Sequence, residues 1–197
     1  MHFFRNILII CIGLLMLSGC QQLLQRQTCV PFGHQVNYCL APLVATQTAS
    51  HTLQANLTQA GASHQMLIQV ESTPQSLTVV GLAPIGGPLF TLRYDGQQLI
   101  SEQNVLLGDK FKAEYLLALL QLIYWPESDI SHHLSGAKLI QQTCGQQMCR
   151  TVFANQPQIS HNSPLISINY DQRINWQSAV QLKIDQAKLT LQLTPLN

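Results

Sequence analysis

With 197 residues, of which 46% are hydrophobic and only 10% charged, the chain can build one domain with a sizeable core. Ten basic and nine acidic side chains give a formal net charge of +1 at pH 7. A balance this close to neutral excludes the basic surface that nucleic-acid binding requires, so we expect no nucleic-acid partner.

The first element in the chain is predicted to be an export signal. Arg5 precedes an apolar run over residues 7–17, and a Leu-Ser-Gly-Cys motif ends at Cys20. As a helix the run spans only about 16 Å, short of a ~30 Å bilayer core, and small residues behind it are typical of a cleaved signal peptide. An ordinary signal peptide with a chance cysteine and an uncut anchor are the alternatives.

The motif at residues 17–20 resembles the lipobox of bacterial lipoproteins. The resemblance implies that residues 1–19 are removed and that Cys20 receives a diacylglycerol and an N-acyl chain. We expect no cofactor beyond these covalent chains. Gln21 and Gln22 stand where an aspartate would retain such a protein in the inner membrane. The resemblance therefore implies a lipid anchor on the periplasmic face of the outer membrane.

Four further cysteines follow Cys20, and in an exported chain they are expected to form two disulfides. Three pairings are possible. Short loops close at the lowest entropic cost, which favours Cys29 with Cys39 and Cys144 with Cys149. The alternative at the second pair is a soft-metal site, but no histidine lies close by in sequence to complete it, so we predict no metal.

Residues 20–45 are predicted to form a lipidated tether and an irregular segment, because proline and glycine interrupt regular structure there. The folded domain is expected over residues 46–197, and its first part, residues 46–57, suits either a strand or a short helix. Residues 64–103 alternate between apolar and polar side chains, which predicts an antiparallel meander of about four strands. The Asp95–Gly96 pair is typical of the turn in its last hairpin.

Residues 113–125 contain good helix formers and stop at Pro126, so they predict a helix. This helix is apolar nearly all round and must be buried on most sides. A short helical turn is predicted at residues 127–134. The remaining strands are expected at residues 137–142, 149–154, 165–170, 179–184 and 188–193. A meander, an apolar helix and a second meander predict an α+β, mostly β fold, in which a single curved antiparallel sheet packs around the helix.

Residues 89–99 and the Tyr-Leu-Leu-Ala-x-Leu-Gln-Leu-x-x-Trp-Pro pattern of residues 115–126 resemble an uncharacterised family of proteobacterial lipoproteins. The genes of that family often lie in aryl-polyene biosynthesis clusters. The resemblance covers roughly residues 64–193 and implies the half-barrel fold of the carriers LolA and LolB, with the helix on the concave face and a cavity for acyl chains. The predicted cavity wall consists of Phe90, Leu92, Tyr94, Leu116, Leu119, Leu120, Ile123, Tyr124 and Trp125.

No nucleophile elbow, zinc-protease motif, phosphate loop or dinucleotide fingerprint occurs in the sequence, so we expect no catalytic residues and no enzyme. His132 and His133 are adjacent, and neighbours on a helix point about 100° apart, so they are expected at the surface. Two functions remain, and a catalyst acting on lipid-linked intermediates is a third alternative that would need carboxylates or histidines converging in a pocket. The first is binding or transfer of an acyl or aryl-polyene molecule, or of a lipoprotein. The alternative is a scaffold with a fully packed core that serves an envelope biosynthesis system and contacts its proteins.

Overall fold

The computed structural model describes residues 28–33, 35–104, 107, 112–155 and 163–196, and these residues form an antiparallel β structure with two helices. The first eight strands are β1 (Cys29–Gly33), β2 (Val36–Cys39), β3 (Ala49–Gln59), β4 (Ala62–Ser72), β5 (Leu77–Leu82), β6 (Pro88–Tyr94), β7 (Leu99–Gln103) and β8 (Leu134–Ser135). The others are β9 (Ala137–Cys144), β10 (Gln147–Ala154), β11 (Ile166–Tyr170), β12 (Val180–Ile184) and β13 (Leu189–Leu196). The helices are α1 (Ala113–Tyr124) and α2 (Glu127–His133).

Ten strands form one large sheet in the order β7-β6-β5-β4-β3-β13-β12-β11-β10-β9. A meander of about four strands was predicted over residues 64–103, and β4 to β7 confirm it; β3 precedes them as a fifth strand. A second meander, β9–β13, joins the first where β13 pairs antiparallel with β3. In the described part of the chain the sheet does not close, because β7 and β9 are its outer strands. The helices follow β7 and precede β9, so they connect the two edges.

The sheet buries one of its two faces because apolar side chains alternate with polar ones along each strand. In β6, for example, Phe90, Leu92 and Tyr94 are buried, whereas Arg93 is exposed. The same alternation in β11 and β12 buries every second residue. These side chains and those of α1 belong to a single hydrophobic core. The expectation of one large antiparallel sheet with a buried apolar helix is therefore confirmed.

The expectation of a single sheet is corrected by the N-terminal segment. Residues 20–45 were predicted to be irregular, but β1 and β2 form a hairpin there, and β8 extends it to a three-stranded sheet. Val30, Phe32, Val36 and Tyr38 bury their side chains in the common core. The hairpin escaped prediction because its strands have only four or five residues, too few to display a clear period. The undecided segment at residues 46–57 is a strand from Ala49 onward, within β3.

Helix α1 is buried on most of its circumference, as its composition predicted. Its buried residues are Ala113, Leu117, Ala118, Leu119, Leu120, Gln121, Leu122 and Ile123. The helix ends at Tyr124, and Trp125 is extended because a following proline disfavours the helical conformation. One of these buried residues, Gln121, is polar and was not singled out from the sequence.

Gly81 in β5 shows how closely the core is packed. It lies opposite Phe90 in the adjacent strand, and a Cβ atom at Gly81 would come within 2.2 Å of the Phe90 ring. No side chain fits there without moving the ring. The glycine thus lets a large aromatic side chain lie flat across two strands of the buried face.

Candidate functional site

The nine predicted wall residues divide into two groups in the structure. Phe90, Leu92, Tyr94, Leu119, Leu120 and Ile123 are buried in the core, and Leu116 packs against it. Tyr124 and Trp125, at the C-terminal end of α1, also lie against or in the core, and they additionally line an open cleft. The accessible part of the predicted wall is therefore the end of the helix and not its middle.

The larger of two neighbouring clefts has a volume of about 290 Å³, and we call it the aromatic cleft. It lies between the segment before β3, the first residues of β3 and the end of α1. It is lined by Leu43, Val44, Ala45, Thr46, Gln47, Ala49, His51, Ser72, Leu77, Tyr124, Trp125 and Trp176. A second cleft of about 250 Å³, lined by Ser50, His51, Thr52, Trp176, Gln177, Pro195 and Leu196, shares two of these residues with it.

The two shared residues, His51 and Trp176, belong to a stack of three aromatic rings. The Trp176 ring lies 3.7 Å from the Tyr124 ring, at an interplanar angle of 17°. On its other side it lies 4.9 Å from the His51 imidazole, at 5°. Trp176 thus separates the two clefts. The sequence analysis missed both His51 and Trp176, although a lone tryptophan in the polar segment of residues 171–178 was an available signal.

The Tyr124 side chain is half-buried, but its hydroxyl oxygen lies out of contact with solvent. Burial raises the pKa of Tyr124 well above its ordinary value, so the phenol is neutral at physiological pH. The hydroxyl has no hydrogen-bond partner among the residues that the structure describes. The ring therefore presents an uncharged apolar face to Trp176 and to the cleft.

Gln121 fixes α1 to the segment that leads into the aromatic cleft. Its side-chain oxygen accepts hydrogen bonds from the Tyr38 hydroxyl (2.9 Å) and the Ala41 backbone N–H (2.8 Å). Its side-chain nitrogen donates to the Ala41 carbonyl (2.9 Å). One turn later, the Trp125 indole N–H donates to the Pro42 carbonyl (2.9 Å). The helix and residues 40–43 therefore hold one wall of the cleft in a fixed position.

Arg150 of β10 caps the C-terminal end of α1 from the opposite side. Its guanidinium donates to the carbonyls of Leu122 (2.8 Å) and Ile123 (3.0 Å), and the Tyr170 hydroxyl donates to the second of them (2.7 Å). These carbonyls carry the negative end of the helix dipole, which favours a cation. Burial lowers the pKa of the guanidinium and raises that of Tyr170 to about 12. The Arg150 side chain is 2% exposed, and sequence analysis gave no sign of this role.

Both disulfides have the predicted pairing. Cys29 is bonded to Cys39 across β1 and β2, and Cys144 is bonded to Cys149 near the turn between β9 and β10. With their sulfurs bonded to each other, Cys144 and Cys149 are not free thiolate ligands for the metal that was the alternative.

The predicted signal peptide and Cys20 lie outside the described residues. Within the ranges that the structure does describe, none of the helices combines the length and the hydrophobicity that a membrane crossing would need. The His132 and His133 rings bond to the backbone of their own helix, at the carbonyls of Ser128 (2.6 Å) and Asp129 (2.8 Å). The Nδ1 atom of each ring is thus used locally.

Because His51 is partly buried in the stack of three rings, we expect it to make the stability of the folded protein depend on pH. A histidine in the unfolded chain titrates near pH 6.5, and burial lowers the pKa of His51 in the folded protein. Below about pH 6.5 the unfolded chain therefore binds the proton more readily than the folded protein does, so stability is lost as the pH falls through the folded pKa. We expect the Tm of the wild type to fall more than that of His51→Phe between about pH 7 and about pH 5. Equal pH slopes of Tm for the two proteins would contradict this.

Comparison with known proteins gives a family and a distant structural likeness. A family model described as "Protein of unknown function (DUF3261)" matches residues 48–197. No curated protein matches the chain. Among solved structures, the crystal structure of a LolA superfamily protein from Nitrosomonas europaea is similar. It is 8% identical, covers 79% of this chain and 86% of that chain, and has a TM-score of 0.41.

Proposed function

The chain belongs to the DUF3261 family, whose model spans residues 48–197, and on that premise we propose that it is a lipoprotein that binds or transfers a lipid-like molecule in the periplasm. The observation that carries the proposal is the aromatic cleft, an open volume of about 290 Å³ with apolar and aromatic residues at the end of a buried helix. Small-molecule sites are concave, mostly apolar and largely preformed, with volumes of roughly 300–1,000 Å³.

The surroundings of the cleft support a binding role because they are rigid. Hydrogen bonds from Gln121 to Ala41 hold the wall formed by the segment before β3, and those from Arg150 hold the wall formed by the end of α1. Both side chains are fully or almost fully buried. A preformed wall reduces the conformational entropy that is lost when a ligand binds. The ten-stranded sheet does not close in the described part of the chain and shares its core with α1, which supports an open half-barrel with the helix on its concave side.

The ligand classes that we propose are an acyl chain, an aryl-polyene chain or the acyl chains of another lipoprotein. Each is apolar and long, and each needs a binding protein to cross the aqueous periplasm because exposed apolar surface is unfavourable in water. The protein would act without catalysis and without a cofactor. Envelope biosynthesis proteins are the proposed protein partners.

The test of this function is mass spectrometry of the small molecules that co-purify with the full-length protein. We expect one apolar compound in near-stoichiometric amount. Ala45→Trp should expel it, because Ala45 lines the cleft and the added indole would fill it. Ala62→Trp is the matched control, since Ala62 is exposed in β4 and does not line either cleft. Equal ligand content in the two variants would place binding elsewhere, and no ligand in any of the proteins would reject the proposal.

The scaffold is the second candidate function, and one observation favours it. All nine predicted wall residues lie in or against the packed core, and seven of them are not among the residues that line the aromatic cleft. A scaffold needs no ligand. It predicts that Ala45→Trp and Ala62→Trp both leave envelope assembly intact and that nothing co-purifies with the wild type.

The membrane anchor is a separate proposal that rests on the sequence motif at Cys20. Replacing Cys20 by serine removes the thiol that would be acylated. We expect an uncut precursor that is absent from washed outer membranes, because three acyl chains contribute about 0.8 kcal/mol per buried CH₂. Membrane fractionation with immunodetection measures this. A Cys20→Ser protein that still fractionates with the outer membrane after a carbonate wash would show that the anchor is not a lipid on this residue.

A further inference from the structure

Trp176 occupies a slot between two nearly parallel ring faces. Tyr124 lies on one side of the indole at a centroid distance of 3.7 Å, and His51 lies on the other side at 4.9 Å. The three rings deviate from parallel by 17° and 5° at the two contacts. The 4.9 Å contact lies in the range that is typical of offset-stacked rings, and the 3.7 Å contact is close to face to face. The shape and chemistry of this slot therefore suit a thin, flat and uncharged group.

The segment that carries Trp176 is a turn closed on itself. The Asn175 side-chain oxygen accepts a hydrogen bond from the Gln177 backbone N–H (2.9 Å) and contacts the Ser178 hydroxyl (3.1 Å). At its base the Asp171 N–H donates to the Ala179 carbonyl (3.0 Å). All of these bonds lie within the turn, so a movement of the whole turn relative to the sheet would not break them. None of these bonds involves the indole, which is held by its two ring faces and by packing against the core.

Removal of the Trp176 ring would join the two clefts. Both are lined by His51 and Trp176, with volumes of about 290 Å³ and about 250 Å³. Together they reach the size range of small-molecule sites, roughly 300–1,000 Å³. A site of this form would have an aromatic slot at its middle and an apolar pocket beside it, where Leu43, Val44 and Leu77 lie.

We propose that the Trp176 indole occupies the ligand slot in the ligand-free protein, and that a flat aromatic or conjugated part of the ligand displaces it and stacks between Tyr124 and His51. This inference rests on the proposed function and names the class of ligand within it. A saturated chain gains nothing specific from two parallel ring faces, whereas a π-system gains stacking on both. The protein therefore prefers conjugated over saturated chains of equal carbon number.

The experiment is a titration of the full-length protein in lipid nanodiscs with 1-aminoanthracene, a flat and uncharged fluorophore. Emission excited by energy transfer from tryptophan reports only probe that is close to the protein, and empty discs give the background. Trp125 remains as a donor in Trp176→Ala, since the chain has two tryptophans. We expect Trp176→Ala to bind about tenfold more tightly, because the ligand no longer has to displace an indole. Adding Tyr124→Leu to it should weaken binding by a similar factor.

Phe153→Leu is the matched control, because Phe153 is a half-buried aromatic residue of β10 that lines neither cleft. Its affinity for the probe should equal that of the wild type. Unchanged or weaker binding by Trp176→Ala would overturn the displacement. Anthracene and dodecanol are then added as unlabelled competitors of the probe. If dodecanol displaces the probe as well as anthracene does, the preference for flat groups is overturned, while lipid binding is left intact. A wild type and variants that bind neither compound would reject the proposed function itself.

A measurement on the unmutated sequence covers the case in which Trp176→Ala does not fold. Protein labelled with 5-fluorotryptophan gives two fluorine resonances, one for each tryptophan. Probe binding should move one resonance towards the value of a water-exposed indole, while that of Trp125 keeps its hydrogen-bonded environment beside Pro42. If neither resonance moves when the probe saturates the protein, Trp176 is not displaced.

Discussion

Replacing Gln121 by leucine is expected to lower the free energy of unfolding by about 3–5 kcal/mol, since it strands three buried polar groups at about 1–3 kcal/mol each and these costs are not fully additive. The groups are the Tyr38 hydroxyl and both backbone groups of Ala41. Leucine has a similar volume and leaves no cavity of note. The loss therefore reports the hydrogen bonds and not the packing.

Chemical denaturation of wild type and Gln121→Leu measures this effect. Tyr38→Phe serves as the comparison, because it removes one donor to Gln121 and leaves both bonds to Ala41. We expect it to cost only about 1 kcal/mol. If Gln121→Leu unfolds at the same denaturant concentration as the wild type, residues 40–43 are not fixed by α1, and the preformed cleft loses its support.

Replacing Arg150 by methionine is expected to cost about 2–4 kcal/mol, because hydrogen bonds to a charged group contribute about 1.5–3 kcal/mol each and burial of the charge offsets part of that. The carbonyls of Leu122 and Ile123 would lose the guanidinium donor, leaving the second one with the Tyr170 hydroxyl. Methionine retains the apolar stem. The C-terminal end of α1 would then lack its cation. Because Tyr124 lies at this end, its position in the wall of the cleft would be less fixed.

Arg150→Lys tests the geometry of this cap. Lysine restores the positive charge as a compact ammonium group but not the planar fork that reaches two carbonyls and the Gln141 side chain at once. We expect an intermediate stability in thermal unfolding. A methionine variant as stable as the wild type would mean that the cost of burying the guanidinium cancels its bonds to the helix, in which case Arg150 is not needed to position the end of α1.

Local pattern determined most of the elements of this fold. Alternation over residues 64–103 and after residue 137 indicated the strands, and the Asp95–Gly96 pair indicated a turn. Period-2 alternation is enforced by the burial of one face, so it is visible in sequence. The helix was visible for the same reason, through its helix formers and the stop at Pro126. The disulfide pairs followed from chain separation, which is itself a property of sequence.

Pairing between distant segments was decided only by the tertiary structure. The contact of β3 with β13 unites the two meanders, and the hairpin of β1 and β2 completes the core through Tyr38 and Gln121. Neither contact produces a periodic pattern of apolar residues in the local sequence. The roles of Gln121 and Arg150 were equally invisible, because their buried hydrogen-bond partners lie 27 to 83 residues away in the chain.

The sequence by itself determined that an apolar helix would be buried beneath an antiparallel sheet, and the proposed lipid anchor rests on its Leu-Ser-Gly-Cys motif at residues 17–20. It did not determine which part of that helix faces an open space, because a packed core and a cavity wall use the same apolar residues. The tertiary structure placed Leu119 and Leu120 in the core and left Tyr124 and Trp125 at a cleft. It also brought His51 and Trp176, 125 positions apart in the chain, face to face. Such a site depends on the way the sheet brings its strands and loops together, which local physical chemistry does not specify.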